Sequence, residues 1–234
     1  MISGYYGFAN AGDEAMLTAI IESLRQVEKN VELTVLSGNP EDTAAKHQVC
    51  SVYRFNPLGI IRAMKDSELI ISGGGSLLQD VTSKRSLLYY LSIIGLGKFF
   101  GKKVMLFAQG IGPIRAKWAR KLTSLVCNEA DLITVRDSES AAELIEMSVK
   151  PEKITVTADS VLSLNPVTKE CGQYLLQEAG VDLTKPVIGI SVRPWSGDSQ
   201  CFQVLAEAAS KLQQSYRAQL ILLPLQFSVH VQTS

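Results

Sequence analysis

The sequence predicts an α/β protein built on a doubly wound parallel sheet, and three observations carry that prediction. Short runs such as Val104–Ala108 and Val187–Val192 are apolar at nearly every position, the pattern of parallel strands covered on both faces. Helical stretches separate these runs almost throughout, as in repeated β-α-β units. The strand ends repeatedly run into glycine-rich turns, where such sheets hold their ligands.

In chain order, the first strand is Met1–Ser3, short at its N-terminal end as though the sheet continued before Met1. It feeds the turn Gly4-Tyr5-Tyr6-Gly7-Phe8-Ala9-Asn10-Ala11-Gly12-Asp13-Glu14. A helix is expected over 14–28, with Ala15, Leu17, Ile20, Ile21, Leu24 and Val27 along its apolar side. Strands are expected at Val31–Leu36 and Cys50–Tyr53, and the polar segment between them carries His47 as a surface residue. Next come a helix over 57–66, a strand at Leu69–Ser72, a helix over 83–100 and the strand Val104–Ala108. A helix over 115–129, the strand Leu132–Val135, a helix over 138–147 and the strand Ile154–Thr157 complete the first part.

Ser163-Leu164-Asn165-Pro166 breaks the alternation, and a helix over 168–179 leads to Lys185-Pro186. A fresh unit then begins: strand Val187–Val192, helix 200–216, strand Gln219–Leu223. The expected organisation is an N-terminal Rossmann-like domain over 1–165, a linker over 166–186 and a partial second α/β domain over 187–234. Two parallel strands and one helix cannot cover both faces of their own sheet, so the chain reads as the front part of a two-domain protein.

Composition excludes several classes. Hydrophobic residues make up 46% and charged residues 20%, enough for a sizeable core. Twenty-three basic residues balance 23 acidic ones, which argues against a general nucleic-acid binder, since that needs a basic excess to neutralise phosphates. Cys50, Cys127, Cys171 and Cys201 are scattered, with no C-x-x-C pair and no Cys/His cluster, so buried thiols are expected and no metal site. The N-terminus turns glycine-rich at once and carries no signal peptide, and the longest apolar stretch, Leu87 to Gly97, is too short to span a bilayer. The expectation is a cytoplasmic protein. Leu87–Phe100, leading into Gly101-Lys102-Lys103, reads as a core helix or as one that rests on a membrane surface.

The candidate residues lie at the strand ends. In the opening turn they are Gly7, Asn10, Gly12 and Asp13, where free backbone N–H groups and the positive end of a helix could hold an anion or a sugar hydroxyl. The spacing is neither G-x-G-x-x-G nor a phosphate-binding loop with its Lys-Ser/Thr. Ser72-Gly73-Gly74-Gly75-Ser76-Leu77-Leu78-Gln79-Asp80 adds Gly74, Gly75, Ser76, Gln79 and Asp80, and Ala108-Gln109-Gly110-Ile111-Gly112-Pro113 adds Gln109 and Gly110. Tight strand-to-helix junctions need glycine in any case, but three such turns on one sheet edge favour a site. Val135-Arg136-Asp137-Ser138 and Ala158-Asp159-Ser160 also end strands, where Asp137 and Asp159 are equally suited to capping the next helix or turn. Arg193 ends a buried strand beside Pro194 and Trp195 and suits an anionic ligand, or else an internal ion pair. His47 and His230 stand alone, and no Ser-His-Asp or Cys-His set can be assembled.

Taken together, G-Y-Y-G-F-A-N-A-G-D-E-A, S-G-G-G-S-L-L-Q-D, A-Q-G-I-G-P, V-R-D-S-E-S, A-D-S-V and I-S-V-R-P-W resemble the polysaccharide pyruvyl transferase family, closest to its CsaB type of bacterial cell-wall polysaccharide synthesis. The resemblance implies a GT-B-like, two-domain architecture with the site in the cleft between domains. It implies phosphoenolpyruvate as co-substrate, with no further cofactor, and a pyruvate ketal on a sugar, typically N-acetylmannosamine of a lipid-linked precursor. It places that acceptor on the N-terminal domain and the donor on the second, with Arg193 in contact with the donor. A lipid-linked acceptor implies peripheral contact with the inner face of the cell membrane. The family's general-acid histidine lies in an Arg-x-His motif that this chain lacks, since Ser228 stands two residues before His230. The chain is therefore read as a C-terminally truncated member. Competing readings are a GT-B glycosyltransferase half that uses a nucleotide sugar, and a non-catalytic glycan-binding domain.

Overall fold

The computed structural model describes residues 1–192 and 199–226. They form two compact units, Met1–Leu164 and a second that begins at Asn165. The first unit is a seven-stranded parallel sheet: β1 (Ile2–Tyr6), β2 (Thr34–Ser37), β3 (Cys50–Tyr53), β4 (Leu69–Gly73), β5 (Lys103–Gln109), β6 (Leu132–Val135) and β7 (Ile154–Val156). The spatial order is β3-β2-β1-β4-β5-β6-β7. Six helices connect the strands: α1 (Ala11–Val27), α2 (Pro40–His47), α3 (Pro57–Asp66), α4 (Lys84–Phe99), α5 (Lys117–Glu129) and α6 (Ser138–Glu146). The chain winds outward from β1 to β3, then returns to β4 on the other side of β1. Because crossovers are right-handed, that reversal puts later helices on the opposite face and opens a crevice between the ends of β1 and β4.

Packing reflects this topology. Leu17, Ile20 and Ile21 of α1 bury against Ile2, Tyr6, Val35 and Ile71 on one face. On the other face Met64 of α3, Leu87 and Ile94 of α4, Cys127 of α5 and Leu144 of α6 pack on Leu36, Ile70, Val104, Leu106 and Ile133. Each fully buried side chain of this kind contributes about 1.5–3 kcal/mol relative to exposure. α4 is a core helix, with Leu87, Tyr90, Leu91, Ile93, Ile94 and Gly97 buried. A Cβ at Gly97 would stand 2.6 Å from Ile70 Cδ1, so this glycine lets α4 sit close on β4. Leu88, Leu96 and Phe99 form its exposed side.

Two differences from the sequence reading have clear causes. The first helix begins at Ala11, not 14, because Asn10 caps it and draws Gly12 and Asp13 into its first turn. α2 has no counterpart in the sequence reading, since only Thr43 of this helix is buried and no apolar stripe marks it. Its signals are the Asn39 cap, which accepts from Asp42 N, and Pro40 in the first turn. α2 also carries His47 inward: its side chain is 10% exposed and Nε2 lies 3.8 Å from Glu14 Oε2, so it is not the surface residue expected.

The second unit contains α7 (Lys169–Glu178), then β8 (Val187–Ile190) parallel to β9 (Gln219–Leu222), with α8 (Ser199–Tyr216) between them. Val204, Leu222 and Leu225 are exposed, as a two-stranded sheet with a single crossover helix would require. α8 and the strand pair border a cavity of about 870 Å³ lined by Ile190, Leu205, Ala209, Leu220 and Leu222. No helix among the described residues is long and apolar enough to cross a membrane.

Candidate functional site at the carboxyl edge of the sheet

The loops after β1, β4, β5, β6 and β7 all open on one edge, and the first two flank the crevice at the β1–β4 reversal. In the opening turn much of the backbone is already satisfied internally. Gly7 N–H donates to Glu14 Oε1 at 2.8 Å, while Gly12 and Asp13 N–H donate to Asn10 Oδ1 at 3.0 and 3.3 Å. Gly7 is required by space as well as by its φ of +77°: a Cβ there would lie 2.2 Å from Ser37 Oγ and 2.5 Å from Asn39 N. The turn is thus a rigid shelf clamped to the end of β2.

The triple-glycine loop meets this shelf directly. Tyr6, fully buried, donates its hydroxyl to Gly73 O at 2.5 Å, and burial, then Asp13, Tyr90 and Glu14, raise its pKa well above the tyrosine norm. Gly74 and Gly75 have φ of +88° and +65°. A Cβ on Gly75 would stand 3.1 Å from Asp13 Oδ1, which places the Asp13 carboxylate over this loop. Gly75 N–H donates to Met16 Sδ at 2.9 Å and Gly75 O accepts from Gly110 N–H at 3.1 Å. The structure therefore brings Asp13, Gly74, Gly75 and Gly110 together across β1, β4 and β5, with Gly7 on the β2 side of the same turn.

Arg136, at the end of β6, completes this group. Its Nη2 donates to Ser76 Oγ at 3.2 Å, its Nε faces Asp137 Oδ2 at 3.3 Å and its Nη1 faces Asp159 Oδ2 at 3.4 Å. The guanidinium lies over Gly110, where a Cβ would come within 2.8 Å of it. The arginine is one-third exposed, at 34%. Both carboxylates have prior roles: Asp137 Oδ1 caps α6 through Ser140 N–H at 2.7 Å, and Asp159 Oδ1 accepts from Val161 N–H at 3.1 Å. Hydrogen bonds from Ser140, with Arg136 adding to them, hold the Asp137 carboxyl below the usual range. A cation held at long range over a glycine floor, and open to solvent, can accept an incoming carboxylate or phosphate oxygen.

The other candidates are occupied within the protein. Gln79 Oε1 accepts from Thr82 N–H at 2.9 Å. Asp80 clamps the start of α5, accepting from Arg115 and Ala116 N–H at 2.9 and 2.8 Å. Burial works against its charge, but those two N–H groups, with Lys84 and Arg115, hold its pKa below the usual value. Gln109 is fully buried; its Nε2 donates to Ser72 Oγ at 2.9 Å, while its Oε1 has no hydrogen-bond partner among the described residues. Arg193 and His230 lie outside the described residues. Among the described residues no group of three His, Cys, Asp or Glu side chains could hold a metal ion.

Sequence reasoning passed over two residues. Arg136 sat beside a recognised cap, and its position after a strand was the available signal. Arg54, after β3, is buried at 4% exposure among aromatic rings drawn from distant segments, which no local spacing reveals.

Solved structures with a similar architecture include proteins in complex with UDP or UDP-GlcNAc. HepE of Anabaena in complex with UDP superposes with a TM-score of 0.58 at 11% identity, over 94% of this chain and 68% of that one. UDP-GlcNAc 2-epimerase from Neisseria meningitidis, bound to UDP-GlcNAc, gives 0.61 at 13% identity, over 99% and 66%. The S. aureus MnaA–UDP structure gives 0.54 at 14%, over 95% and 62%. At these identities the likeness shows the GT-B-like α/β fold, and the chain spans about two thirds of the length of these neighbours. No curated protein sequence matches. The sequence profile of polysaccharide pyruvyl transferases, in contrast, matches residues 10–229, from the Asn10 cap onward. The chain belongs to the polysaccharide pyruvyl transferase family.

Proposed function

We propose that the protein transfers pyruvate from phosphoenolpyruvate to two hydroxyls of a sugar as a ketal. The acceptor would be N-acetylmannosamine of a lipid-linked cell-wall polysaccharide precursor, met at the cytoplasmic face of the membrane. The observation that carries this reading is the family match over 10–229. The carboxyl edge suits its chemistry. Phosphoenolpyruvate carries a carboxylate and a phosphate, and Arg136 is a cation already set among the glycine loops. In the reaction an acid protonates the methylene carbon of the enol while a sugar hydroxyl bonds to the adjacent carbon and gives up its proton. The carbon–oxygen bond to phosphate then breaks, its electron pair leaving with inorganic phosphate. A second hydroxyl adds to the same carbon, loses its proton and closes the ketal. In this scheme Gly7, Asn10, Gly12, Asp13, Gly74, Gly75 and Ser76 shape the acceptor shelf, and Arg136 would meet an anionic group of the donor. No residue is assigned as the acid.

The test is release of inorganic phosphate from phosphoenolpyruvate with and without an N-acetylmannosamine-containing acceptor. Acceptor-dependent release supports the proposal. The rival reading, a nucleotide-sugar enzyme, is favoured by the UDP and UDP-GlcNAc held by the neighbours. Thermal stabilisation by UDP-sugars, with none from phosphoenolpyruvate and no phosphate release, would select that reading instead. Binding of a glycan with turnover of neither donor would leave a non-catalytic binding domain.

A further inference from the structure

The end of β3 carries a buried charge that its surroundings do not neutralise. Arg54 N–H donates to Ser37 O at 2.9 Å, which ties the residue to the carboxyl edge beside β2. Its side chain turns inward, leaving the residue 4% exposed. The guanidinium carbon lies 4.5 Å from the ring centre of Tyr89, 5.1 Å from Phe55, 5.3 Å from Phe8, 5.5 Å from Tyr90 and 5.9 Å from Tyr5. Nη2 donates to the Tyr90 hydroxyl at 3.3 Å. Nε and Nη1 are buried with no hydrogen-bond acceptor, and no carboxylate pairs with the group among the described residues.

An arginine cannot shed its charge, so burial does not neutralise it as it would a lysine. Aromatic faces attract the cation but give its N–H groups nothing to bond to, and an unsatisfied donor in a low-dielectric interior is costly. The enclosure is uneven. Tyr90 is buried, whereas Phe55 is 61% exposed and touches Tyr53 and Tyr89 only edge-on. Phe8, from the opening turn, stacks on Tyr5 at 4.3 Å and is half-buried. Phe55 is the ring of this enclosure most open to solvent. The Tyr90 phenol, pushed up to about 12 by burial despite Arg54, stays protonated and can donate to the same ligand. The planar guanidinium fork pairs with oxygens of a phosphate group, as it does with those of a carboxylate. Arg54 follows β3 and Arg136 ends β6, and the two guanidinium groups have different neighbours: aromatic rings around Arg54, and Ser76, Asp137 and Asp159 around Arg136.

We propose that Arg54 and the rings around it form a second anion site, closed in this structure by Phe8 and Phe55, that takes a phosphate group. This site stands independently of the transferase reading. The experiment titrates inorganic phosphate, at constant ionic strength, into the wild-type chain, Arg136→Gln and Arg54→Met. Saturable binding that survives Arg136→Gln and weakens at least tenfold in Arg54→Met is expected. Absence of binding in the wild type, or equal binding by Arg54→Met, overturns the proposal and leaves a purely structural cation–π box. If Arg54→Met does not fold, Arg54→Lys decides: weaker phosphate binding than in Arg136→Gln supports the site, and unchanged binding overturns it. Sedimentation with phosphatidylglycerol but not phosphatidylcholine vesicles, dependent on Arg54, identifies a lipid headgroup as the phosphate's source. Phosphate binding without such sedimentation identifies a soluble ligand.

Discussion

The two edges of the seven-stranded sheet treat charge in opposite ways. At the amino edge Asp131 gathers Lys98 at 2.6 Å, Lys103 at 3.1 Å and Val104 N–H at 2.9 Å, so the three charged side chains satisfy one another locally. At the carboxyl edge the carboxylates cap helices and clamp loops, while the two arginines keep reserve capacity. Arg136 makes only long ionic contacts, and Arg54 makes none among the described residues. One edge uses its charges to hold the fold together. The other commits Asp80, Asp137 and Asp159 to loops and helix ends, while Arg136 keeps only long, partly exposed contacts and Arg54 is buried without a carboxylate among the described residues.

Arg136→Gln tests that division most severely. If the carboxyl edge binds the donor anion, acceptor-dependent phosphate release should fall at least about a hundredfold, the scale of losing one preorganised charge-stabilising donor. The melting temperature should move little, because the ion pairs removed are long and one-third exposed. A variant with near wild-type turnover would place the donor elsewhere.

Gly7→Ala acts on the shelf instead of the charge. The new methyl must fit where Ser37 Oγ stands at 2.2 Å, with a backbone φ of +77°. Left-handed strain and overpacking together should cost about 3 kcal/mol of stability. Urea denaturation reads this directly, and a loss under about 1 kcal/mol would mean the turn yields more easily than its geometry implies.

Asp80→Ala has a smaller effect and separates a clamp from a ligand. Two charge-assisted hydrogen bonds to Arg115 and Ala116 N–H disappear, at a cost of about 2 kcal/mol. Acceptor affinity, measured at a temperature where the variant is folded, should be unchanged. A selective loss of acceptor binding with stability intact would return Asp80 to the site.

How far the sequence anticipated these edges depends on the range of the interactions that set each feature. Near-continuous apolar runs and Gly-rich exits are local consequences of a two-sided parallel sheet, so strands such as Cys50–Tyr53 and Leu132–Val135 were legible with their bounds. α2 was not, because a short helix with one buried residue shows no period and must be read from Asn39-Pro40 alone. Gln79, Asp80 and Gln109 stood out as polar residues at strand ends. Whether such a side chain faces a ligand or a backbone N–H depends on loops far away in sequence, as Asp80 on Arg115 shows. Arg54 was invisible for the same reason, since its rings come from β1, the opening turn, the end of β3 and α4.

Asp131→Asn, the smallest effect, isolates the amino edge. Burial alone would raise the Asp131 pKa, but the hydrogen bonds from Lys98, Val104 N–H and Lys103 and the Lys98 charge bring it far below the ordinary aspartate value of 3.8. A carboxylate with a depressed folded pKa stabilises the protein above its unfolded value and loses that contribution as pH falls through the folded one. The variant should therefore be less stable than wild type at pH 7 by about 1–2 kcal/mol, a modest figure because both lysine contacts are partly solvated. The gap should begin to close below pH 3.8 and vanish only in stronger acid. Turnover at pH 7 should be untouched, since the whole length of the strands separates Asp131 from the carboxyl edge. A gap independent of pH would show that packing, and not charge, holds this edge, and the contrast between the edges would then lose its electrostatic basis.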